Sequence, residues 1–158
     1  MSAANEFLLQ RVQPAMVGLF DGSLSTLAPI FGIVFYTHKP HAAFVAGLAT
    51  AIGAGISMAY SEGLSDTGEL TGRGSPLVRG SITGVGTFIG GILHTLPFLI
   101  TDYHTAVVTA ALVVAFELLA LAILRARFFA TSFVGSLGHI TVAGAVIAVV
   151  GATIGSAA

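Results

Sequence analysis

The chain has 158 residues, 55% of them hydrophobic and 8% charged, with a formal net charge of -1 and a mean hydropathy of +0.96. A soluble domain carries about a quarter charged residues, so this composition excludes a water-soluble globule and turns most of the surface toward lipid. The near-neutral balance excludes an electrostatic footprint for nucleic acid, and the lack of cysteine excludes disulfides, thiolate metal sites and cysteine nucleophiles.

In chain order, residues 1–15 hold Glu6 and Arg11 around Phe7, Leu8 and Leu9, without the basic start and small-residue cleavage site of a signal peptide. They predict a short interfacial helix ended by Pro14. Five apolar stretches follow, at about 16–36, 41–62, 77–100, 105–124 and 133–155. Each is close to the roughly 20 residues that cross the hydrocarbon core of a bilayer. Turn chemistry separates them, at Thr37-His38-Lys39-Pro40, in the Gly-rich run from Ser65 to Pro76, at Thr101-Asp102-Tyr103-His104 and at Arg125-Ala126-Arg127. The expected fold is all-α: a single membrane domain of five transmembrane helices. Arg11, Arg73, Arg79, Arg125 and Arg127 fall on the side of the N-terminus and only Lys39 on the other. Basic loops stay cytoplasmic, which predicts a cytoplasmic N-terminus. Small-residue pairs such as Gly80 and Gly84, Gly86 and Gly90, and Gly151 and Gly155 predict close helix contacts, within the bundle or in a dimer.

A few side chains do not fit a purely lipid-facing reading. Asp21 lies more than a turn inside the first span, where a carboxylate costs about 2.5–3.5 kcal/mol and normally faces a partner, a cavity or an ion path; the alternative is an interfacial or capping role. An antiparallel hairpin of the first two spans puts Asp21 at the depth of residues 56–58, beside Met58. A thioether with a carboxylate suits a divalent first-row ion such as Fe²⁺, although a membrane Met is also ordinary packing. Glu62, Asp66 and Glu69 continue the helical spacing from Met58 as an acidic stripe toward solvent, a route for cations. The competing reading is a solvated loop with Arg73 and Arg79 as counter-ions. Glu117, deep in the fourth span, is either a proton carrier or a neutral hydrogen-bonded group. His94 and His139 invite metal or proton roles, against hydrogen-bonded packing. Asp21 and Glu62 are further proton-coupling candidates. There is no Walker loop, dinucleotide fingerprint, HExxH or G-x-S-x-G, so a secondary transporter is expected rather than an enzyme.

The run Phe20-Asp21-Gly22-Ser23-Leu24-Ser25-Thr26-Leu27-Ala28-Pro29, with Gly53-Ala54-Gly55-Ile56-Ser57-Met58, resembles the vacuolar iron transporter family. The segments 65–76 and 91–99 resemble its bacterial branch, in which such a membrane domain follows a ferritin-like domain. The resemblance covers essentially the whole chain. It implies a homodimer in a bacterial inner membrane that exchanges cytoplasmic Fe²⁺, and ions such as Mn²⁺, Zn²⁺, Co²⁺ or Ni²⁺, for protons, with no permanently bound cofactor. It also implies that Asp21 and Met58 line the path. The chain departs from the family in three ways: the glutamate-rich domain of eukaryotic members is replaced by the short segment 63–76, Thr50 stands where some members have a Glu, and no ferritin-like domain precedes the first span. Storage or oxidation of iron would then need a ferritin-like partner chain. The alternative to transport is a membrane subunit that organises a larger complex.

Overall fold

A computed structural model describes residues 3–69 and 71–158; Met1, Ser2 and Leu70 of the segments discussed above lie outside it. It is all-α. Among the described residues, five helices are long and apolar enough to cross a membrane: α1 (Ala3–Thr37), α2 (Pro40–Ser65), α3 (Pro76–Leu93), α4 (Tyr103–Phe129) and α5 (Phe133–Ala157). The chain is thus built as an integral membrane bundle.

The first helix departs from the sequence expectation. Pro14 does not end it; the helix passes through Pro14 into the span and reaches Thr37. A proline inside a helix removes one N–H and crowds the carbonyl four residues back. Here the preceding turn, Leu8–Val12, is widened to a π-helix, with the Gln13 N–H bonding the Leu8 carbonyl, and the widening absorbs the ring. A second proline, Pro29, acts on the same helix. Its missing N–H and its ring interrupt the ladder one turn back, and α1 is jointed at Thr26, between Gln13–Ser25 and Leu27–Thr37.

The third span is also shorter than the stretch 77–100. α3 stops at Leu93, and a 3-10 turn over Leu96–Leu99, containing Pro97, carries the chain on toward α4. With 18 residues, α3 is about 27 Å long.

α3 sits between the first half of α1 and the length of α2, and the glycines make that possible. Helices in lipid gain no hydrophobic energy from associating, so close backbone contact must supply the packing. On one side, Gly18 and Gly22 lie against the Thr83 and Thr87 backbone, so closely that a β-carbon on Gly22 would overlap the Thr87 carbonyl. On the other, β-carbons on Gly55 and Gly84 would each lie within 3 Å of the opposite carbonyl, at 2.9 and 2.6 Å. The second half of α1 uses the same device against α5, where Gly151 and Gly155 meet Ala28 and Gly32. All three small-residue pairs singled out in the sequence are therefore occupied within one chain. The apolar core fills in beyond the joint, where Leu27, Ile30, Phe31 and Val34 pack with Ala43, Phe98, Ala106 and Ala110.

The connections sort by end as the charge pattern requires. Gln10 donates to the Gly72 carbonyl at 3.2 Å, joining the start of α1 to the α2–α3 loop. At the opposite end the His38 and Tyr103 rings lie 5.0 Å apart, joining the α1–α2 and α3–α4 connections.

Adding a methyl at Gly22 is overpacking against backbone that cannot rotate away. Gly22→Ala is expected to cost about 1–3 kcal/mol in unfolding from detergent micelles. Gly53→Ala, where no atom lies within 4 Å of the added carbon, is expected to change little. Equal effects of the two would mean that α3 is not packed as described.

Candidate functional site

Asp21 lies on the first half of α1, one residue before the glycine that presses on Thr87. Its side chain is half-buried, and among the described residues nothing hydrogen-bonds or ion-pairs with it. The α3 contacts set its depth: Gly22 is level with Thr87, and Gly55 packs beside Gly84 and Phe88 on the other flank. Asp21 is thus close to the level of Gly55 and about a turn from Met58, near the depth expected of a simple hairpin. The hairpin picture missed the wedge. α3 stands between the Asp21 segment and the Met58 segment, and Met58 is itself half-buried on α2.

The acidic stripe has a different character from the one the spacing suggests. Glu62 and Asp66 do lie together, at the end of α2, but both are held by arginines. The Glu62 carboxylate accepts from Arg73 at 2.6 Å and from the Arg79 Nε at 2.9 Å, and Asp66 accepts from Arg73 at 3.1 Å and Arg79 at 3.4 Å. Arg79 has no exposed side-chain surface. Its remaining donors reach the Glu62 and Asp66 carbonyls at 3.4 and 3.3 Å, the Gly74 carbonyl at 3.2 Å and the Ser65 hydroxyl at 3.5 Å. The last carbonyls of a helix have no intrahelical donor and carry partial negative charge, so a guanidinium there both caps α2 and neutralises its carboxylates. Of the two sequence readings, the geometry is that of counter-ion pairing, although the loop is folded rather than merely solvated. Glu69 remains exposed, apart from this cluster.

Asp66 shows the electrostatic result. Partial desolvation pushes its carboxyl pKa up, but hydrogen bonds from the Thr71 hydroxyl and the Gly68 N–H, with the charges of Arg79 and Arg73, outweigh it and hold the carboxyl below the usual aspartate value. Gly68 takes a positive φ of 82° to aim its N–H at Asp66, and a β-carbon there would strike the Gly74 carbonyl.

Glu117 and His94, singled out separately in the sequence, meet inside the bundle. His94 caps the end of α3 and is fully buried; Glu117 is 7% exposed on α4. His94 Nδ1 lies 2.6 Å from Glu117 Oε2, and its Nε2 lies 2.5 Å from the hydroxyl of Thr26, at the joint in α1. Both ring nitrogens are engaged, so His94 presents no free donor to a metal. Thr26 was not picked out by sequence reasoning. Its place one turn after Gly22 and three residues before Pro29 is the signal that marks a jointed helix. His139 is elsewhere: exposed on α5, its Nδ1 2.6 Å from the Gly135 carbonyl of its own helix. Among the described residues, no three His, Asp or Glu side chains converge as a metal-binding group.

Compared with protein-family models, curated proteins and solved structures, the chain has no match.

Removing one member of a buried ion pair strands the other. Arg79→Gln is expected to cost about 3–5 kcal/mol in detergent unfolding. A depressed Asp66 pKa contributes stability that is present above the ordinary carboxyl pKa and lost as pH falls through the lower folded value. Carbon-13 NMR of Asp66 should therefore show titration below about 3.9. An ordinary or raised value would contradict the clamp.

Proposed function

We propose that the protein moves divalent first-row metal ions, chiefly Fe²⁺ and also Mn²⁺, out of the cytoplasm in exchange for protons, with its N-terminus cytoplasmic and a second copy completing the path. The observation that carries this reading is the state of Asp21. Glu62 is held by two arginines and Glu117 by His94, whereas Asp21 stands within a membrane-crossing helix with nothing bonded to it among the described residues. A carboxylate in that setting, at a cost of about 2.5–3.5 kcal/mol, calls for a cation or a proton.

Asp21 supplies charge and Met58, about a turn away in depth, a soft sulfur; that donor pair favours transition metals over Mg²⁺ or Ca²⁺. Because α3 separates the two segments, dehydrated metal would meet them along a surface shared with a second copy rather than inside one bundle. Competition between protons and metal for the Asp21 carboxylate supplies the exchange: protonation from the outer side weakens the metal site. The likeness of the 20–29 and 53–58 segments to vacuolar iron transporters supports the same choice of ion. Glu62 and Asp66 enter this reading as the clamp that closes the cytoplasmic end of α2, and Glu69 as the exposed acid at the mouth.

A second reading, a non-transporting membrane subunit, draws on the same clamp. There the loop acids serve packing, and the remaining charges would serve assembly with other chains, a ferritin-like protein among them.

Fe²⁺ entry into proteoliposomes containing a metal-quenched dye separates the two. The exchanger predicts flux accelerated by an opposing pH gradient, reduced at least about tenfold in Asp21→Asn and in Met58→Ala, with both variants folded. Flux indistinguishable from empty liposomes, from folded wild type, would favour the subunit.

A further inference from the structure

The geometry points to the Glu117–His94–Thr26 chain as a buried proton-binding site whose occupancy is read at the Gly22 carbonyl, next to Asp21. The inference deepens the exchange reading by naming where a proton is held, and rests on it only for the link to metal flux.

The argument is a count of hydrogens. Thr26 has one hydroxyl hydrogen and two acceptors within reach: the Gly22 carbonyl at 2.9 Å and His94 Nε2 at 2.5 Å. When the hydroxyl donates to Gly22, Nε2 must carry a hydrogen and donate to the Thr26 oxygen. The contact between Nδ1 and Glu117 Oε2 then needs one proton, as a carboxylic acid donating to a neutral ring or as a carboxylate accepting from an imidazolium. Either way the pair is net neutral, the condition a buried site favours.

Removing that proton leaves two lone pairs facing each other 2.6 Å apart. One rearrangement relieves this without moving a heavy atom. The imidazole hydrogen passes from Nε2 to Nδ1, where it donates to the Glu117 carboxylate, and the Thr26 hydroxyl turns from Gly22 to donate to Nε2. One proton leaves the protein, the ring changes tautomer and one hydroxyl rotates, so atoms and charge balance. The Gly22 carbonyl loses its donor.

That loss falls at a sensitive point. The Thr26 N–H bonds the Leu24 carbonyl, so the hydroxyl occupies the position at Gly22 that the backbone N–H fills in a regular helix. Deprotonation thus loosens the joint at Thr26 through its contact with Gly22, the residue after Asp21. A second observation marks the site as one that takes a ligand: Glu117 Oε1 is buried with no partner. It can accept from an entering water.

Few other ionisable groups face the pair. Asp21 is the nearest on α1, whose second half adds only Tyr36 at its far end. α2 has none between His41 and Tyr60, α3 none between Arg79 and His94, and α4 none but Glu117 between His104 and Arg125. α5 offers only His139, exposed near its start.

The test is nitrogen-15 solid-state NMR of the wild-type protein in lipid bilayers, metal-free, from about pH 4 to about pH 10, reading the His94 tautomer. The expected result is a change from the Nε2–H or doubly protonated ring to the Nδ1–H ring as pH rises, with a parallel carbon-13 shift of the Gly22 carbonyl that is absent in Thr26→Val, which has no hydroxyl to turn. One unchanged tautomer across the range, or the same Gly22 shift in Thr26→Val, overturns the proposal. In proteoliposomes, Glu117→Gln and His94→Gln are expected to keep Fe²⁺ flux but lose its acceleration by a pH gradient; acceleration intact in both would remove the site from coupling. A tautomer change in a wild type that carries no flux would uphold the proton site and refute the exchange reading, so the two fail separately.

Discussion

Helix α3 can lie between α1 and α2 only where neither partner has a side chain in the way. In hydrocarbon, apolar side chains gain nothing by leaving lipid for a neighbouring helix, and the packing energy comes from backbones at short range. Gly18 and Gly22 on one flank, and Gly55 and Gly84 on the other, admit that contact. The remaining geometry follows: the depth of Asp21, the separation of Asp21 from Met58, and the place at which α3 ends and delivers His94 to the bundle interior.

The charges are then disposed by what each end of the bundle can solvate. At the end bearing the N-terminus, a fully buried arginine is tolerable because Glu62, Asp66 and the terminal carbonyls of α2 surround it. Such a network offers little net stability over an apolar packing of the same volume, yet it penalises any arrangement that leaves one member unpaired. It specifies where α2 stops and how the loop returns to α3. Deeper in, the bundle accepts one histidine and one carboxyl by pairing them with each other and with a hydroxyl. Among the described residues, Asp21 is neither clamped nor paired, and this contrast sets it apart from the other acids of the bundle.

Two prolines turn one long helix into a working element. Pro14 is accommodated by a π-turn and leaves the helix continuous; Pro29 produces the joint at Thr26. The joint frees a hydroxyl to bridge α1 to His94 at the end of α3, and through His94 to Glu117 on α4, close to the residue that carries the unpaired charge. Local strain in the helix ladder and the polar interior of the bundle are therefore the same feature.

Much of this architecture is determined by the amino-acid sequence alone. Apolar runs of bilayer length specify five helices, and the arginine distribution sorts the connections to two ends, because desolvating a backbone or a charge in lipid leaves so few choices. The same cost picks out Asp21, Glu117 and His94 as side chains that need an explanation. What surrounds each is decided only by tertiary structure. Glu62 and Asp66 have helical spacing whether they face an ion or an arginine, and the buried guanidinium of Arg79, seventeen residues beyond Glu62, settles it. Glu117 and His94 are twenty-three residues apart on different helices, and no periodicity links them; their pairing depends on α3 ending at Leu93 and on the glycine contacts that set its height. Hydropathy reads each helix against lipid one at a time, whereas a partner is a property of how helices are placed against one another.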